Sequence, residues 1–145
     1  NVDMNNNNAF GNVSGGAMYI RRSTVVISNS TFANNQAGRT STTEGGGGAI
    51  YAGSSPLYLN RCLFYDNEVV NNWGSAIIHT KTDTVHPYLS IDHTTFHGHT
   101  GHVIFNDDNT NTAHLTLILK NSIVWGGGIY VYGNAYSYCH VGFLV

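Results

Sequence analysis

The stretch VVISNSTFANN (25–35), followed closely by GGGGAIYA (45–52), decides how this chain folds. Each half has an apolar run of strand length, and each is punctuated by Asn or Gly rather than by a helix signal. Both halves return further along. LYLNRCLF (57–64), YLSIDHTTF (88–96) and LILKNSIV (117–124) align with VVISNSTF. Phe32, Phe64 and Phe96 are then evenly spaced, and Val124 takes the fourth place after a slightly shorter interval. Ile27, Leu59, Ile91 and Leu119 align ahead of them, and Ser30, Cys62, Thr94 and Ser122 fall in between. The glycine half recurs as GGAMYI (15–20), GGAIYA (47–52), GSAIIH (74–79), GHVIFN (101–106) and GGIYVY (127–132). The two halves alternate along the chain, so together they form one compound repeat.

A unit this short cannot bury its own apolar face, whereas stacked units bury one another's. The spacing therefore predicts an all-β fold, a right-handed parallel β-helix (solenoid) of roughly four to five coils. Identical positions then form ladders at the roughly 4.8 Å inter-strand distance. Phe32, Phe64, Phe96 and Val124 are the expected interior stack. Ser30, Cys62, Thr94 and Ser122 are the expected ladder of small residues at a corner, which makes Cys62 structural. Asn29 and Asn121 fall where a turn needs left-handed backbone. Unequal unit lengths place loops after Ala37, after His79 (TKTDTVH) and after Phe105 (NDDNTNTAH).

Composition agrees with this reading. Hydrophobic residues make up 41% of the chain, enough for a core, but charged residues only 10%, so Asn, Ser, Thr and Gly carry the surface. A net charge of −2 provides no electrostatic ground for nucleic-acid binding. No apolar run approaches the roughly 20 residues of a membrane-spanning helix. Two cysteines make no disulfide framework. The sequons at Asn12 and Asn29 are candidate glycosylation sites.

The same residues resemble a known family. STFANNQA (30–37) followed by GGGGAIYA resembles the F-x-x-N … G-G-A-I repeats of polymorphic outer-membrane proteins, bacterial-surface β-helices; LFYDNEVV (63–70) with WGSAII (73–78) follows the pattern more loosely. NSIVWG (121–126) and YSYCHVG (136–142) are similar to the closing coils of secreted β-helix proteins of the choice-of-anchor type. The resemblance implies an extracellular or cell-surface protein that is secreted, adhesive or structural, and without a shared active site. Fold alone does not supply a function.

Candidate chemistry is sparse against that background. An inverting glycosidase, the chief enzymatic alternative for a β-helix, needs two carboxyls about 6.5–9.5 Å apart. Asp107-Asp108 is the adjacent acidic pair, but the histidine cluster HGHTGH (97–102) precedes it instead of following, and no Arg lies beyond Arg61. No catalytic activity is expected, and Asp107 and Asp108 read as a solvated loop. His93, His97, His99 and His102 crowd one segment, with His97 and His99 alternating onto one strand face as the candidate metal pair. Gly98 and Gly101 suggest a corner there, so the expectation is four solvent-facing turn residues, no metal and no cofactor. Tyr130, Tyr132, Tyr136 and Tyr138 read as exposed aromatics that stack on sugars or cap the solenoid. GGGG (45–48) lacks the Lys-Ser/Thr of a phosphate loop and reads as a corner.

The sequence thus reads as one β-helix segment over 1–145, part of a larger protein or assembly: a structural or adhesive module of a surface protein or fibre. The alternative is a carbohydrate-active or carbohydrate-binding β-helix. Expected partners are other copies of itself or flanking β-helix domains, met through Phe143, Leu144 and Val145, and surface glycans.

Overall fold

A computed structural model of the chain describes residues 2–9, 14–38, 46–70, 73–81, 87–108, 115–132 and 138–141. Alternation of apolar and polar residues, cut by Asn and Gly, yields short strands throughout and no helix among these residues. Strands β1 (Asp3–Asn5) and β2 (Asn8–Ala9) come first. The next coil holds β3 (Met18–Arg21), β4 (Val25–Ser28), β5 (Thr31–Ala33) and β6 (Gln36–Ala37). The pattern repeats as β7 (Ile50–Gly53), β8 (Leu57–Asn60), β9 (Leu63–Tyr65) and β10 (Glu68–Val69). A further coil carries β11 (Ile77–Lys81), β12 (Tyr88–Asp92) and β13 (Thr95–His97). Then follow β14 (His102–Asp108), β15 (Thr116–Val124), β16 (Gly128–Tyr132) and β17 (Tyr138–Val141).

Strands pair with their equivalents one coil away, in parallel, giving a β-solenoid of about four turns. One face runs β3-β7-β11-β14-β16, and a short one runs β2-β6-β10. The other two faces, β4-β8-β12 and β1-β5-β9-β13, are joined by β15. Its first half pairs with β12, from Thr116 to Lys120, and its second with β13, at Ile123 and Val124.

Corners are made by single residues in the left-handed region, stacked in columns. Asn29, Arg61, His93 and Asn121 have φ between 47° and 53°, and Asn6, Asn34 and Asp66 lie at 58°, 53° and 51°. Gly98 and Gly126 continue the second column at 71° and 86°. Asn and Asp tolerate this backbone better than other side chains do, which is why Asn is so abundant. In the glycine motif each glycine has its own reason. Gly47 needs positive φ, whereas a Cβ on Gly48 would run into the Ser75 carbonyl and the backbone of Glu68.

Inside, Phe32 and Phe64 stack with ring centroids 4.7 Å apart, and Phe64 and Phe96 at 4.9 Å. All three rings are fully buried. Met4 lies opposite Phe32 and partly buried Val124 opposite Phe96, so apolar side chains prolong the stack at both ends. At the neighbouring corner, each hydroxyl closes a bond to its own coil and opens one to the previous coil. Thr94 Oγ1 donates to the Asp92 carbonyl (3.1 Å) and accepts from the Cys62 N–H (3.3 Å). Ser122 Oγ donates to the Lys120 carbonyl (2.6 Å) and accepts from the Thr94 N–H (3.1 Å). Cys62 is buried, and its Sγ contacts the carbonyls of Asn60 and Ile27 at 3.5 and 3.6 Å. Burial pushes its thiol up, away from the reactive thiolate.

Three boundaries differ from the sequence reading. Thr80 and Lys81 are buried and extend β11, where a loop was expected after His79. Asp107 and Asp108 extend β14, paired with Thr80 and Lys81, because the parallel partner strand continues beside them. In the last glycine motif His102 pairs with Gly128 but Ile104 with Ile129, so a bulge shifts the alignment.

Phe64 is sandwiched between two rings. Phe64→Ala should therefore cost about 3–5 kcal/mol in denaturant unfolding, as large core truncations do. A cost below about 1 kcal/mol, outside the range of such truncations, would contradict the central place of the stack.

Candidate functional site

Three residues after Met4, Phe32, Phe64 and Phe96 the chain turns through a residue of a second ladder, Asn7, Asn35, Asn67 and His99. The Asn35 side-chain amide donates to the Met4 carbonyl at 2.8 Å and to Asn67 Oδ1 at 2.9 Å. Asn67 donates to the Phe32 carbonyl at 2.9 Å, and its Oδ1 also accepts from the Asn35 N–H at 3.0 Å. Asn7 joins from the other side, donating to Asn35 Oδ1 from both its amides. Asn35 and Asn67 thus each bond the coil before, which explains the F-x-x-N spacing physically. The clue to it lay in the even spacing of Asn35, Asn67 and His99, which follows that of the Phe residues.

His99 takes the fourth place. It is buried, with Nε2 3.3 Å from the Phe64 carbonyl and Nδ1 3.1 Å from the Asn67 carbonyl. The expectation of four solvent-facing histidines is corrected here: the inward turn that directs Asn35 and Asn67 also buries His99. His97 remains exposed on β13, and Gly98, at φ 71°, turns the chain between them, so the two rings share no face. His93 is exposed at its corner, where Nδ1 lies 2.9 Å from Asp92 Oδ1. The Asn121 amide, with His93 adding to it, holds the Asp92 carboxyl below its usual value. His102 is half-buried against Phe105 and Tyr130, with Nδ1 unpartnered. No three His, Cys, Asp or Glu side chains come together among the described residues in a way that would hold a metal.

A second buried histidine had no place in the sequence reading. His79 is fully buried, with Nδ1 2.7 Å from Asn106 Oδ1 and Nε2 3.1 Å from the Ser55 carbonyl. A neutral ring donates only once, so it cannot satisfy two acceptors. Rotating the Asn106 amide brings its NH2, otherwise unpartnered, onto Nδ1 and leaves Nε2–H for Ser55. The sequence hint was that both residues stand at the end of their glycine motifs, GSAIIH and GHVIFN.

On the outside, Tyr19 and Tyr51 stack at 4.9 Å, and Phe105 stacks on Tyr130 at 4.6 Å and on Trp73 at 5.1 Å. Tyr130, expected to be exposed, is half-buried in that stack. Tyr132 and Tyr138 lie in β16 and β17, and Tyr136 lies outside the described residues. So do Asn12 and the apolar triplet Phe143, Leu144 and Val145, whereas Asn29 is exposed at its corner.

A polar groove of about 370 Å3 opens along the Asn ladder. The left-handed corner residues Asn6, Asn34 and Asp66 form one wall, and Asn8, Gln36 and Glu68 the other, with buried Asn35 as the floor. Gln36 Nε2 donates to Glu68 at 3.0 Å, from one coil to the next.

The coil that carries the buried Phe, the ladder Asn and the glycine corner coincides with a known repeat. Residues 29–53 match the Chlamydia polymorphic membrane protein repeat. The matched segment contains Phe32, Asn35, Gly47 and Gly48, the residues that stack, bridge and turn each coil. No curated protein and no solved structure matches the chain.

Burial lowers the pKa of both His79 and His99 below the ordinary 6.5. The unfolded chain then binds protons more readily than the folded one. Their contribution to stability is full above pH 6.5 and falls as pH drops through the folded values. Thermal melts from neutral to mildly acidic pH should show this loss. His99→Asn should lessen it, and should raise stability at neutral pH by about 1 kcal/mol by restoring an amide to the ladder. An unchanged pH profile in that variant would contradict the assignment.

Proposed function

We propose that this chain is a non-catalytic, adhesive or structural β-solenoid module of a surface protein associated with an outer membrane. One observation carries the reading: the segment matching the polymorphic membrane protein repeat spans most of one coil of the solenoid, from the corner at Asn29 through β5, β6 and β7. The surface supports it. It is rich in amide and hydroxyl side chains with few charges, a character suited to contact with other molecules rather than to general acid–base chemistry. Asp107 and Asp108 follow one another on a single strand, β14, and no further acidic residue lies in that strand.

Partners in this reading are flanking β-helix domains or further copies of the chain. Solenoid edges template additional strands, and Phe143, Leu144 and Val145 are the apolar residues assigned to that contact. Adhesion is tested by coating beads with the protein and counting attachment to epithelial cells against a bead coated with an unrelated β-solenoid. Specific attachment supports the reading, and attachment equal to the control overturns it. Asp107→Asn with Asp108→Asn should leave that attachment unchanged. Turnover of pectin or alginate by the wild-type chain, lost in this double variant, would replace the reading with an enzyme. Sedimentation at rising concentration should show association that Phe143→Asp with Leu144→Asp abolishes; a chain monomeric throughout would remove the assembly role.

A further inference from the structure

Most of the side chains that rim the groove beside the Asn ladder are exposed. Asn35 on its floor is fully engaged with Met4, Asn7 and Asn67, and of the walls Gln36 and Glu68 bond each other. The amides of Asn6, Asn8 and Asn34 are exposed, as is the Asp66 carboxylate. We propose that this groove binds a polyhydroxylated sugar chain and prefers amine-bearing over acidic sugars. The inference rests on the adhesive reading and names its ligand class.

Three features support it. A carboxamide offers a donor and an acceptor side by side, and a sugar hydroxyl both donates and accepts, so rows of amides match rows of hydroxyls. Asp66 and Glu68 add two carboxylates while no Lys or Arg lines the groove. An ammonium group is therefore met by charge-assisted hydrogen bonds, and a uronate by like charge. Finally, the wall is pre-organised. The N–H groups of Asn6, Asn34 and Asp66 are tied to the carbonyls of Ala33, Tyr65 and His97 at 3.0 to 3.1 Å, which fixes the left-handed corners. Less ordering is then needed on binding.

The wall repeats once per coil, so a sugar chain lying along the solenoid axis meets equivalent groups at successive coils. At about 370 Å3 the groove is at the small end of ligand sites. It lacks an aromatic lining, so single-ring affinity is weak and repetition along the axis strengthens it. Toward the next coil the wall ends at Gly98, where Asp66 Oδ1 occupies the space a side chain would take.

The test is titration of the labelled protein with three tetrasaccharides, of glucosamine, N-acetylglucosamine and galacturonate, followed by the side-chain amide resonances of Asn8, Asn34 and Gln36. Glucosamine tetramer should shift them at the lowest concentration, the N-acetyl form at higher concentration, and galacturonate should leave them unmoved. Asp66→Asn with Glu68→Gln keeps a left-handed-tolerant residue at 66, so it should fold with unchanged circular dichroism. It should weaken glucosamine binding at least fivefold, to the level of the N-acetyl form. Gln36→Ala should weaken both. Galacturonate binding as tightly as glucosamine, shifts caused by calcium chloride alone but by no sugar, or no shift with any probe would each overturn the proposal. Cell attachment of wild-type beads that persists in those cases leaves the adhesive reading standing while this ligand assignment falls.

Discussion

Hydrogen bonding between a residue and its equivalent one coil away is the constraint on which this structure depends. A parallel solenoid can satisfy its backbone only if each coil returns to the same place after the same path. Every corner must then repeat the same backbone conformation, and every interior column must hold side chains that tolerate stacking. The left-handed columns meet the first condition, and the Phe stack meets the second. Loops that leave and re-enter at equivalent points, as between β10 and β11, change the length of a unit without disturbing its register.

The interior columns differ in how they join the coils. Phe32, Phe64 and Phe96 contribute apolar area and ring stacking, which are strong but permissive: Met4 and Val124 stand in the same column. The hydroxyl and amide ladders are stricter, because each group must both donate and accept in a fixed direction. Thr94 and Ser122 satisfy this. Cys62 fills the same space with a weaker acceptor, and His99 replaces an amide by a ring. These two positions show how far the repeat can drift while the backbone ladder remains closed. Sensitivity to acid follows from the same drift, since an interior amide never titrates and an interior imidazole does.

The outer surface follows from the inner one. Residues flanking the Asn ladder point outward on both sides, so a ladder inside forces two walls outside, and the groove is a by-product of the corner geometry. Its chemistry, however, is free to vary, because Asn6, Asn34 and Asp66 need only accept the left-handed backbone. This separation of a strict interior from a tolerant rim lets one scaffold carry different surface chemistries on successive coils.

The sequence by itself determined the fold class, the number of coils and the apolar interior, because the recurring interval from Phe32 to Phe64 to Phe96 is a direct image of coil length. Those three rings could be aligned from spacing alone, as could Ser30, Cys62, Thr94 and Ser122. Tertiary structure decided what spacing cannot express: the direction of a side chain at a corner and the partner of a polar group. His97 and His99, close neighbours in sequence, part company because Gly98 turns the chain left-handed between them. His79 and Asn106, far apart in sequence, meet inside because their strands are neighbours. The groove, too, exists only once three separate Asn-rich corners are stacked at the distance set by backbone hydrogen bonds.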